Sequence, residues 1–111
     1  MSRTLTRRSF VGGAVVALAI PAPAASAAPT EHRVEIRRFK FAPATLQVKK
    51  GDRITWINHD IAPHTATAQS EAWDTGRINK DSESTLVVDA EGRHAYFCRY
   101  HPAMKGELIV T

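Results

Sequence analysis

Gly92-Arg93-His94-Ala95-Tyr96-Phe97-Cys98-Arg99-Tyr100-His101-Pro102-Ala103-Met104-Lys105-Gly106 begins with a turn glycine and ends with the glycine that opens the last strand. Arg93 to Cys98 reads as one strand and Gly106 to Thr111 as the next. Between them Cys98, His101 and Met104 recur every third residue, so a thiolate, an imidazole and a thioether share the end of one hairpin. A second imidazole, His64 in Ala62-Pro63-His64-Thr65, lies at or just before a neighbouring short strand, within reach of that hairpin end.

Upstream the same kind of element repeats. His32 to Phe41 reads as a strand, with Val34 and Ile36 alternating against Arg33, Glu35 and Arg37. The register shifts at Arg38-Phe39-Lys40-Phe41, and Pro43 ends the run. Leu46 and Val48 start a second strand, and Lys50-Gly51-Asp52 is a turn. Ile54, Trp56 and Asn58 share one face of a third strand, with Thr55 and Ile57 on the other. Turn-like residues run from Asn58 to Pro63, and Thr65 to Ala68 forms a short strand. Gln69 to Asp81 is the least regular part, with Ala72-Trp73-Asp74-Thr75-Gly76 as a turn carrying an aromatic anchor. Ser84 to Val88 is again β-branched and apolar. The sum is about seven to eight short strands, no helix of ten residues or more, and the expectation of an all-β, antiparallel Greek-key β-sandwich.

The first 27 residues are of another kind. Arg3, Arg7 and Arg8 precede the apolar run Val11 to Ile20, Pro21 and Pro23 break it, and Ala25-Ser26-Ala27 is a small-residue cleavage site. That order of parts is a secretory signal peptide, and the run is too short to span a bilayer. Arg7-Arg8 before the apolar run resembles a twin-arginine (Tat) export signal. The domain plan is therefore a signal peptide over 1–27 and a mature domain over 28–111. It implies a prokaryotic protein in the periplasm or secreted, with no membrane span after processing.

The formal charge of +4 belongs largely to that leader, which holds three of the 15 basic residues and none of the 11 acids. The mature chain keeps 12 basic against 11 acidic residues. No basic block interleaved with aromatics appears in it, so nucleic acid is not an expected partner. With a single cysteine the domain can form no internal disulfide, and small exported domains need a staple. A bound metal is the expected substitute.

The mature chain has one cysteine and one methionine, six residues apart with His101 midway. Thiolate and thioether are soft ligands and imidazole suits copper, and a His₂Cys set with a weak axial Met is a blue-copper arrangement. Zinc sites of the Cys₄ or Cys₂His₂ kind need more cysteines than exist here. The expected metal ligands of one copper ion, cycling between Cu(I) and Cu(II), are therefore His64, Cys98, His101 and Met104.

With these residues in place the chain resembles the cupredoxins, in particular their amicyanin and plastocyanin-like branch, over roughly Phe39 to Thr111. The matching stretches are Phe39-Lys40-Phe41-Ala42-Pro43, Val48-Lys49-Lys50-Gly51-Asp52, Thr55-Trp56-Ile57-Asn58, Pro63-His64, Gly92 to Cys98 and His101-Pro102-Ala103-Met104-Lys105-Gly106. The short Cys-x-x-His-x-x-Met loop is of the amicyanin kind. The resemblance implies copper at the four matched positions, electron exit through the edge of His101, and Asn58 bracing the cysteine loop by hydrogen bonds beyond the ligands themselves. Arg99 departs from the Ser or Thr that many relatives carry after the cysteine, so the brace must differ or use backbone. Ala103 replaces a bulkier residue common in amicyanins, which shrinks the apolar surface around His101.

The reading that follows is a periplasmic one-electron carrier, a monomer and not an enzyme, passing electrons between redox-partner proteins such as a donor dehydrogenase and an acceptor reductase or cytochrome. A copper-binding or delivery protein using the same ligands is the alternative. Delivery proteins often show extra Met or His runs, which this chain lacks. A nucleophilic cysteine would need a base and an orienting acid and would leave Met104 without a role. Taken alone, Cys98 or Met104 would be core filler and His64 a turn residue. Of the other histidines, His59 is expected to be solvated in its turn, His94 half-buried near a sheet end, and His32 exposed. Trp56 and Trp73 are expected as core or anchor residues.

Overall fold

The computed structural model describes residues 28–111, and the expected signal segment over 1–27 lies outside the described residues. Eight strands follow in order: β1 (Glu31–Arg37), β2 (Lys40–Ala42), β3 (Thr45–Val48), β4 (Arg53–Asn58), β5 (Thr67–Ala68), β6 (Glu83–Val87), β7 (Gly92–Phe97) and β8 (Lys105–Val110). They form two four-stranded sheets, ordered β2-β1-β4-β6 and β3-β8-β7-β5. No helix occurs among the described residues.

The alternation read from the sequence places the core. Val34 and Ile36 of β1, Ile54 and Trp56 of β4, Tyr96 of β7 and Leu108 and Val110 of β8 are all buried. Trp73 packs on this core from the irregular segment, with its ring centroid 5.6 Å from those of both Trp56 and Tyr96. It is the aromatic anchor expected there.

Several details differ from the sequence reading. The sandwich is mixed rather than purely antiparallel, because β1 pairs with β4 and β3 with β8 in parallel. The run His32 to Phe41 is two strands, not one. Arg38 and Phe39 turn the chain at φ 53° and 61°, which is where the apolar register shifts. Non-glycine residues adopt that region at a cost, offset here by the two backbone N–H groups donating to Asp60, at 2.7 and 2.9 Å. The strand expected over Thr65 to Ala68 shrinks to Thr67–Ala68, with a single bridge from His64 to Ile78 before it and another from Thr67 itself to Asp74. His32 is not exposed: it is half-buried with Nε2 2.9 Å from the Asp52 carboxylate. Nor is His59 freely solvated, since it pairs with Glu35 of β1. His94 is half-buried, as expected.

The parallel pairing of β1 and β4 sets Ile36 opposite Asn58, so both strands finish at the same end of the sandwich. The β7–β8 hairpin turns at that end too, because the side chain of Phe39, in the β1–β2 turn, packs against His101 in the hairpin loop.

Candidate metal centre

Two loops and one turn build the site. The hairpin loop is closed by two successive i to i+3 hydrogen bonds: His101 N–H donates to the Cys98 carbonyl at 3.2 Å, and Met104 N–H to the His101 carbonyl at 2.8 Å. Cys98 N–H closes the base of the loop on the Met104 carbonyl at 3.1 Å. A spacing of three thus means one tight turn per step, which bunches the three residues at the hairpin end. His64 arrives on the segment before β5, held by mutual backbone bonds with Ile78 at 3.1 and 2.7 Å.

The donor atoms of His64, Cys98 and His101 all lie within 4.8 Å of one another. The Nδ1 atoms of both imidazoles stand 3.7 Å from Cys98 Sγ. Cys98 and His64 are fully buried, Met104 is nearly so at 5 % exposure, and His101 is half-buried. Phe39 lies edge-on to both imidazoles, with centroids 5.1 Å from His64 and 4.7 Å from His101. It is itself 49 % exposed, so it forms part of the roof between the site and solvent.

Asp60 was not singled out in the sequence, although it stands four residues before His64. Its Oδ2 accepts from His64 Nε2 at 2.9 Å. That bond puts the ring proton on Nε2 and leaves Nδ1 free to donate to a metal, the familiar carboxylate–histidine support of a metal ligand. Burial pushes the Asp60 carboxyl up, but the Phe39 and Arg38 amides and the His64 imidazole outweigh it and hold it below the ordinary value.

Asn58 does not brace the cysteine loop. Its side-chain amide donates to the carbonyls of Ala62 at 2.8 Å and Ile78 at 2.9 Å, and its carbonyl accepts from Asp60 N–H at 2.8 Å. It therefore shapes the His64 loop from below. The tie to the cysteine side comes from Thr65, which the sequence reading passed over. Thr65 N–H points at Cys98 Sγ at 3.4 Å, and its hydroxyl accepts from Arg99 N–H at 2.9 Å.

Residues 11–110 match the family described as a cupredoxin-like domain. The chain belongs to the cupredoxin-like family. Over 82 residues it is 34 % identical to amicyanin of Paracoccus denitrificans, a match covering 69 % of this chain and 63 % of that protein, just under two thirds of its length. It is 31 % identical over 123 residues to the chloroplastic plastocyanin of Tetradesmus obliquus, covering 98 % of this chain and 84 % of the relative. Among solved structures, an oxidized amicyanin mutant aligns with a TM-score of 0.69 at 31 % identity, over 79 % of this chain and 89 % of the other. The Cu(I) form of another amicyanin mutant aligns at 0.68 and 31 % identity, over 82 % and 91 %.

The cluster in this cupredoxin suits one copper ion. Two imidazole nitrogens and the cysteine sulfur converge, with His64 and Cys98 buried and His101 half-buried, and the thioether of Met104 is carried on the same tight loop. That soft donor set fits copper better than a hard cation such as Mg²⁺ or Ca²⁺. The other histidines stand elsewhere: His32 with Asp52, His59 with Glu35, and His94 on the Ala90 carbonyl.

Proposed function

We propose that this protein is a one-electron carrier of the blue-copper type, holding one copper ion through His64 Nδ1, Cys98 Sγ and His101 Nδ1, with Met104 as a weak fourth ligand. The observation that carries the reading is the pair of imidazole Nδ1 atoms at 3.7 Å from one buried sulfur. Copper would supply the change between Cu(II) and Cu(I) that stores one electron. The chain's own residues do the rest. Asp60 and the turned loop hold the histidines in place whatever the oxidation state, so little rearrangement accompanies each electron. Phe39 keeps bulk water off both rings, and half-buried His101 offers the edge nearest solvent.

Burial also separates this reading from the others. A catalytic cysteine must meet its substrate, and Cys98 has no exposed surface. A delivery protein must release its ion, whereas two of the ligands here are wholly buried. The export signature of residues 1–27 supports a periplasmic or secreted site of action, with donor and acceptor proteins as partners. The test is kinetic: the copper-loaded protein should exchange electrons with itself rapidly and keep its metal when mixed with an apo-acceptor. Ready transfer of Cu(I) to the acceptor, with slow self-exchange, would assign it to delivery.

A further inference from the structure

The residue after the cysteine is Arg99, and the structure shows what it does. Arg99 Nε donates to Asp74 Oδ2 at 2.9 Å, while Arg99 N–H donates to Thr65 Oγ1 at 2.9 Å. Thr65 Oγ1 lies 3.0 Å from Thr67 Oγ1, and Thr67 Oγ1 donates to Asp74 Oδ1 at 3.0 Å. The four residues close a ring. Its proton directions are fixed by chemistry: a carboxylate only accepts, so the single hydroxyl proton of Thr67 goes to Asp74, and Thr65 must donate to Thr67. Every bond then runs toward the one carboxylate, an arrangement in which each bond polarises the next. Both hydroxyls are buried, Thr65 at 2 % and Thr67 at 0 % exposure. Gly76 N–H adds a further bond to Asp74 Oδ1 at 2.8 Å. Burial pushes the Asp74 carboxyl up, but these donors together hold it below the ordinary carboxylate value.

The ring grips two backbone positions that matter. Thr65 follows His64 and Arg99 follows Cys98, so it ties the two ligand-bearing segments together across different loops. The third group of Thr65, its N–H, is the one aimed at Cys98 Sγ. We infer that Asp74 is a positioning residue for the Cys98 sulfur, acting through Thr67, Thr65 and Arg99 to keep the Thr65 N–H on that sulfur. The inference rests on the reading of Cys98 as a copper ligand. An N–H on the sulfur draws off negative charge, which favours Cu(I). Loosening it strengthens the thiolate as a donor and favours Cu(II).

The test compares Asp74→Asn and Thr67→Val with the parent, with Thr67→Ser as the conservative variant that keeps the hydroxyl. Amide hydrogen exchange is read by NMR on the Cu(I)-loaded proteins, and the colour band and reduction potential are read on the same proteins after oxidation to Cu(II). In Asp74→Asn and Thr67→Val the amides of Thr65 and Arg99 should exchange about tenfold faster or more through local opening. Their colour band should shift and their potentials should fall, while Thr67→Ser behaves as the parent. Unchanged exchange, or faster exchange with spectrum and potential left at the parent values, overturns the proposal. A parent protein that stays colourless with Cu(II) overturns the copper reading, and this inference with it; a blue parent with unaffected variants overturns the inference alone.

Discussion

Asp60 takes three hydrogen bonds on one carboxylate, from the N–H groups of Arg38 and Phe39 and from the Nε2 of His64. Asp60→Asn keeps the shape but turns one acceptor into an NH₂ that faces a donor. The mismatch at this half-buried group should cost about 1 kcal/mol in urea unfolding. At the ligands, Met104→Leu should keep the copper yet raise the potential, because removing the axial donor stabilises Cu(I) relative to Cu(II); a lowered potential would count against an axial thioether. Asp52 carries a pH prediction. The Lys49 amide, the His32 imidazole and the Thr30 amide lower its carboxyl from 3.8 to about 2. A depressed carboxylate stabilises the fold above its unfolded value, so this contribution is complete above 3.8 and fades as the pH falls toward 2. Urea midpoints measured across that range should fall less steeply for Asp52→Asn than for the parent. At this scale the ligands were legible because Cys98, His101 and Met104 are local in sequence. Their supports were not, because Thr65 and Arg99 are 34 residues apart and Arg99 and Asp74 are 25 apart. His64 and Asp60, at i and i+4, were close enough to have been found.

Between elements, the tightest fit is β7 against β8. Gly106 faces Tyr96 across the pair, and a Cβ on Gly106 would sit 2.4 Å from the ring carbon Cζ. Tyr96 is fully buried against Phe41, Trp56 and Trp73, so its ring has nowhere to go. Gly106→Ala should therefore destabilise the protein by about 1–3 kcal/mol, the usual cost of overfilling a packed core, as thermal or urea unfolding would show. A substitution tolerated without loss would mean that the hairpin can shift. The same pair explains what the sequence could reveal about strands. Alternation tells which side chains face inward, and it found nearly every strand. It does not tell which strand lies beside which, so the parallel neighbours β1–β4 and β3–β8 were invisible. The break at Arg38-Phe39 left a trace in the shifted register, but only the backbone shows that it is a turn folded over the metal centre.

For the whole molecule, the fold brings two loops and one turn to one end and leaves His101 as the partly open edge of the site. The domain lacks a disulfide, so an ion bound only by the folded state should raise its thermal midpoint, and chelation should lower it. The measurement that bears most directly on the central claim is an absorption titration of the purified domain with Cu(II), run beside Cys98→Ser. An intense blue colour that saturates at one equivalent in the parent and is lost in Cys98→Ser is the predicted result. A parent that binds Cu(II) without colour, or a Cys98→Ser variant that remains blue, would contradict it.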